Sequence, residues 1–154
     1  MRKWMMFVMA GVIALSVTGC QEKGPSNEPQ GERLMLDKEY TNSFDSYKLD
    51  LPQDWARVEI LEDEEERTTV FIFPSEDPTK QQALMTIIGM SAAEWDAIKA
   101  EGKPSLTQFK EIKEHEGSYY ILLTPLDQVL EGEELERYEQ MVKQVPVIVA
   151  GMHF

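Results

Sequence analysis

From Tyr47 onward, apolar and polar residues alternate: Tyr47, Leu49 and Leu51 fall on one side, Lys48 and Asp50 on the other. A period of two marks a half-buried strand, and Pro52, which has no amide proton for a ladder, ends it. The alternation resumes in "ARVEILE", where Ala56, Val58 and Ile60 share a face. A charged turn at 63–67 leads into "TTVFIF", apolar on both faces and closed by Pro74. Two such runs around a polar turn predict a hairpin. "PSEDPTKQQ" reads as a polar loop, and "ALMTIIGM", residues 83–90, as a buried strand.

The period then changes to that of a helix. In "SAAEWDAIKAEG", Ser91 and Glu94 have the spacing of a capping box, and Trp95 and Ile98 stand at i, i+3 on an inward face. Gly102 and Pro104 stop this helix. "LTQFKEIKEHEGSYYILLTP" predicts two extended runs joined near Gly117. The second, 119–124, is too apolar for a sheet edge, and Pro125 ends it. A last helix begins near Glu133, where an acidic first turn suits the positive end of the helix dipole. Its inward stripe is Leu135, Tyr138, Val142 and Val145. Pro146 kinks or ends it, and "VIVAGMHF" is either a second turn of helix or a short extended tail.

The amino-terminal pattern is of another kind. "MRK" is a short basic stretch, and "WMMFVMAGVIALSV" is apolar, uncharged and shorter than the ~20 residues a membrane span needs. "VTGC" then places two small residues before Cys20, the single cysteine of the chain. This resembles the bacterial lipobox. The resemblance implies a signal peptide at 1–19 and diacylglycerol on the Cys20 thiol, with cleavage just before it. A lone cysteine has no intramolecular disulfide partner, and lipidation accounts for it. Two acyl chains anchor a protein stably where one holds marginally. Gln21, rather than Asp, after the cysteine permits outer-membrane sorting in a diderm. In a monoderm the anchor is the outer leaflet of the plasma membrane. "QEKGPSNEPQGER" has no apolar residue, and 20–38 reads as the lipidated cysteine and a flexible tether, spanning about 20–25 Å as a coil. "LML", 34–36, is the exception, either docking on the domain or opening it.

Composition adds one exclusion. The net charge is −13, and loss of a leader carrying Arg2 and Lys3 removes two cations more. An acidic surface of this kind repels nucleic acid and anionic lipid. No nucleic-acid partner is expected.

The order strands, helix, strands, helix over 39–154 predicts one α+β domain, with a central antiparallel sheet of about five to six strands and helices packed on it. "YKLDLPQDW", "VFIFP", "SYYILLTPLD" and the closing "VAGMHF" resemble the PsbP-like family over about 44–154. That family includes a photosystem II lumenal protein and a nuclear-import factor that binds a small GTPase. The resemblance implies a non-catalytic adaptor or assembly module and carries over no ligand residues.

The chain has no G-x-S-x-G, P-loop, C-x-x-C or H-E-x-x-H pattern, so no catalytic, metal or cofactor residue is singled out. His115 lies between Glu114 and Glu116, but strand neighbours point to opposite faces, and a solvated loop or strand-edge histidine is the better reading. The acidic run 62–66 lacks the spacing and glycine of a calcium loop and reads as a solvated turn. Trp55 and Trp95, at element boundaries, read as core. Tyr119 and Tyr120 must face opposite sides of their strand, which makes the pair the candidate partner contact. Two functions fit. One is a membrane-anchored envelope lipoprotein, attached by acyl chains on Cys20, that binds an as yet unknown protein partner or helps assemble a complex. The other is a small ligand-binding or hydrolytic lipoprotein with an acidic site.

Overall fold

The computed structural model describes residues 39–102 and 107–154. The expected signal peptide at 1–19, Cys20, the expected tether and "LML" lie outside the described residues.

Five strands form one antiparallel sheet: β3 (Glu59–Asp63), β4 (Thr68–Ile72), β5 (Ala83–Ser91), β6 (Thr107–His115) and β7 (Ser118–Pro125). Their order is β3-β4-β5-β7-β6, so β7 is interior, as its apolar character requires. β3 and β4 form the predicted hairpin, with Glu59 opposite Ile72 and Asp63 opposite Thr68. The chain is mixed α+β, but the first predicted strand is not part of the central sheet. β2 (Lys48–Asp50) pairs instead with β1 (Glu39–Thr41) as a separate two-stranded ribbon. Its buried side is nonetheless the predicted one: Tyr47, Leu49 and Leu51 are all in the core.

The face predicted for Ala56, Val58 and Ile60 is corrected at its start. Residues Gln53–Trp55 form a 3-10 turn, closed by the Trp55 amide donating to Pro52 O at 2.9 Å. This turn drives the Trp55 ring fully into the core and leaves Ala56 exposed, so the strand begins only at Glu59.

α1 (Ala92–Glu101) has the full capping box: Ser91 Oγ accepts from the Glu94 amide at 3.3 Å, and the Glu94 carboxylate accepts from the Ser91 amide at 2.7 Å. Those bonds from Ser91 hold the Glu94 carboxyl below its usual pKa range. Gly102 closes the helix at φ 91°, where a side chain would be strained. α2 (Gly132–Val142) is followed by α3 (Val145–Ala150), which has Pro146 in its first turn, where no intrahelical amide is needed. The undecided tail is thus helical to Ala150 and then extended, with His153 bridged to Lys48.

Alternation divides the sheet into two faces. Phe71, Met85, Ile87, Tyr120 and Leu122 point to one side, where they pack with the β1–β2 ribbon, Trp55, α2 and α3 in the main core. Met90 and Ile121 point to the other side and pack with Trp95 of α1. No helix among the described residues is long and apolar enough to cross a membrane.

Candidate functional site

The described residues cover only half of the second face of the sheet. α1 lies across its β5–β7–β6 side, where Trp95 and Ile98 meet Met90, Ile121, Phe109 and Leu123. Trp95 is held in place at its polar end, where its Nε1 donates to Glu111 Oε2 at 2.9 Å. Towards β3 and β4 no described helix continues the cover. Leu61 is 47% exposed, Val70, Thr68 and Thr86 are half-buried, and neither Leu61 nor Val70 belongs to a packed cluster. The register places Leu61 opposite Val70 and Val70 opposite Thr86, so these side chains form one row across three strands. Asp63 and Thr68 sit beside that row at the hairpin end.

Tyr119 and Tyr120 divide between the two faces, as strand geometry demands. Tyr120 is 3% exposed in the main core, in tilted contact with Phe154 and edge-on to Tyr47. Burial raises its pKa. The structure therefore takes Tyr120 out of the candidate contact pair. Tyr119 is half-buried on the second face, opposite Met90 on one side and Glu114 on the other, where it packs against the Met90, Trp95 and Ile121 cluster.

Two polar clusters that the sequence did not single out are structural in character. Asp45 and Arg67 form an ion pair at 2.7 Å. Arg67 Nη1 also reaches Ser118 Oγ at 3.3 Å, and Nη2 reaches the Tyr120 hydroxyl at 3.5 Å. The Asp45 hydrogen bond raises the Arg67 pKa. Gly89 lies directly beneath: a Cβ there would stand 2.8 Å from Asp45 Oδ2 and 3.0 Å from Arg67 Nη2. This explains a glycine inside an otherwise apolar strand. The signal for it was that glycine itself.

The other cluster is at Glu62. The predicted solvated acidic turn holds for 63–66, but the Glu62 carboxylate accepts from the Tyr40 hydroxyl, from Ser43 through both amide and hydroxyl, and from Asn42 Nδ2. Burial works against this carboxylate, but the hydrogen bonds led by Ser43 outweigh it and hold its pKa below the usual range. Burial and the Glu62 bond push the Tyr40 hydroxyl strongly up. Spacing alone gives no hint of this cluster, because its partners lie about twenty residues away.

His115 is at the end of β6 rather than in a free loop, and its ring stacks on Phe154 with centroids 3.8 Å apart. Trp55 and Trp95 are both buried. Among the described residues no group of three His, Cys, Asp or Glu is placed to hold a metal ion.

Compared with known proteins, the chain matches no family model, and neither a curated protein nor a solved structure matches it.

Proposed function

We propose that the chain is a membrane-anchored extracytoplasmic lipoprotein, attached through acyl chains on Cys20. On this reading its 39–154 domain is a non-catalytic module that binds a protein partner of the cell envelope. The observation that carries the binding half is the row Leu61, Val70 and Thr86, on a sheet face that the described helices cover only in part. Apolar side chains aligned across neighbouring strands form a contiguous patch, and such patches mark interaction surfaces when they are large enough. Asp63 stands at the hairpin end of this row and the chain is strongly acidic, so the complementary partner has an apolar ridge with a basic edge. The anchoring half is supported by "VTGC" after an apolar leader. The mixed α+β core, with strands at "VFIFP" and "SYYILLTPLD" and a helix running into "VAGMHF", supports a PsbP-like reading of the fold.

Cys20→Ser tests the anchor. Fractionated cells are expected to lose the variant from the membrane, and its intact mass to lack the acyl groups. Unchanged retention and mass would refute the lipid attachment. Leu61→Asp tests the binding face, by native electrophoresis of detergent-solubilised envelopes. The unaltered chain is expected in a species larger than the monomer, and the variant at monomer size. If both migrate as monomers, the partner reading fails.

A further inference from the structure

The main-core side of the molecule carries a second feature, unrelated to the open face. Asp54, Arg57, Pro74, Arg137, Gln140 and Met141 line a cleft of about 290 Å³ between the Trp55 turn and α2. That is near the lower end of the volumes small-molecule sites occupy, roughly 300–1,000 Å³.

The placement of cations is what makes the cleft informative. The chain as a whole is strongly acidic, at −13. The described residues hold three arginines, at 57, 67 and 137. Arg67 is neutralised by Asp45. The other two both line this cleft. Among the described residues, Arg57 has no ion pair and no side-chain hydrogen bond, and it is exposed.

Arg137 is held rather than free. Its Nη2 donates to Pro74 O at 2.8 Å, and its guanidinium lies 4.8 Å from the centroid of the Phe73 ring. A guanidinium stacked on an aromatic face loses less freedom when it binds an oxyanion. Its nearest carboxylate, Glu134, is 4.0 Å away and already accepts from Ser75 Oγ at 3.1 Å and the Glu76 amide at 2.7 Å. Among the described residues, Arg137 Nε is buried and has no acceptor. The guanidinium therefore has fewer partners than its five donors call for.

The one carboxylate in the lining, Asp54, is turned to other use: its Oδ2 accepts from Gln144 Nε2 at 2.8 Å. Gln144 Oε1 in turn accepts from Trp55 Nε1 at 2.5 Å, which fixes that wall of the cleft. Pro74 and Met141 add an apolar surface beside the two cations.

From this arrangement we infer that the cleft binds a small carboxylate with an apolar body, its oxygens on Arg57 and Arg137 and its hydrocarbon against Pro74 and Met141. Planar guanidinium and planar carboxylate match in a two-point contact, which a neutral analogue cannot make.

Methyl NMR of the full chain, labelled at methionine, tests this with hexanoate, 1-hexanol and inorganic phosphate as probes. Hexanoate is expected to shift the Met141 methyl saturably and leave Met90, on the other sheet face, unmoved. Hexanol and phosphate are each expected to bind at least tenfold more weakly, the first lacking the charge and the second the apolar body. Arg57→Gln removes one charged contact and is expected to weaken hexanoate by about tenfold. Arg57 is exposed, so this variant keeps its fold, and Arg137→Lys, which keeps the charge without the planar fork, provides the second check. The inference is overturned if Met141 does not respond, if hexanol or phosphate matches hexanoate, or if Arg57→Gln leaves the titration unchanged.

Discussion

The two faces of one sheet have been finished to different degrees. On the first, Phe71, Met85 and Ile87 are at most 1% exposed beneath the β1–β2 ribbon, the Trp55 turn and two helices. On the second, among the described residues, one ten-residue helix covers Met90 and Ile121 and stops short of Leu61 and Val70. The strands are the same, so strand-forming tendency does not account for the contrast. What differs is how much chain is spent on cover. The comparison separates the residues that make the domain fold from those that folding leaves available.

The largest effect that sharpens this contrast comes from removing a side chain that only the first face needs. Trp55→Ala deletes a fully buried ring and its bond to Gln144, and about 3–5 kcal/mol of stability should go with it in urea unfolding. Val70→Ala on the second face should cost well under that, ~1 kcal/mol or less, because the side chain is already half in water. If the two substitutions cost the same, the faces are not different in the sense argued.

Gly89→Val comes next. Its added carbons collide with the Asp45–Arg67 pair and should cost roughly 1–3 kcal/mol in the same measurement. Arg67→Ala in that background should return part of the loss, since one of the two obstructing groups is gone. Absence of any coupling would mean that the ion pair does not rest on Gly89.

A smaller effect is expected from pH. Glu62 has a carboxyl pKa held below its ordinary value of 4.5 by donors that exist only in the folded state. Its contribution is therefore fully present above about 4.5 and is lost as the pH falls through the lower folded value. Glu62→Gln should flatten that acid limb of the stability curve, and an unchanged limb would show that other carboxylates produce it.

Much of the architecture was legible because it is local. The alternation at Tyr47, Leu49 and Leu51, the Ser91–Glu94 capping box, the turn at Gly117 and the interior character of β7 depend on neighbours in the chain. What was not legible depends on distant pairing. β1 is three residues long and is defined by its partner β2. Ala56 continues an alternating pattern, yet the burial of Trp55 overrides it. Glu62 looks like one acid among five until Tyr40, Asn42 and Ser43 fold onto it. At the Tyr119–Tyr120 pair, parity put the two rings on opposite faces, but only the packing of Tyr120 against Tyr47 and Phe154 tells which of them is closed. The Arg57–Arg137 cleft unites residues eighty positions apart, and nothing in their spacing announces it.

The central claim is that the uncovered part of the sheet is where a partner sits. A photo-crosslinking amino acid placed at Leu61 in living cells tests it most directly, with the same probe at Val147, an exposed position on α3, as the reference. The account predicts one discrete adduct from Leu61, lost when Val70→Lys is added although the protein remains folded, and no such adduct from Val147. No adduct from Leu61, or the same adduct from both positions, would contradict it.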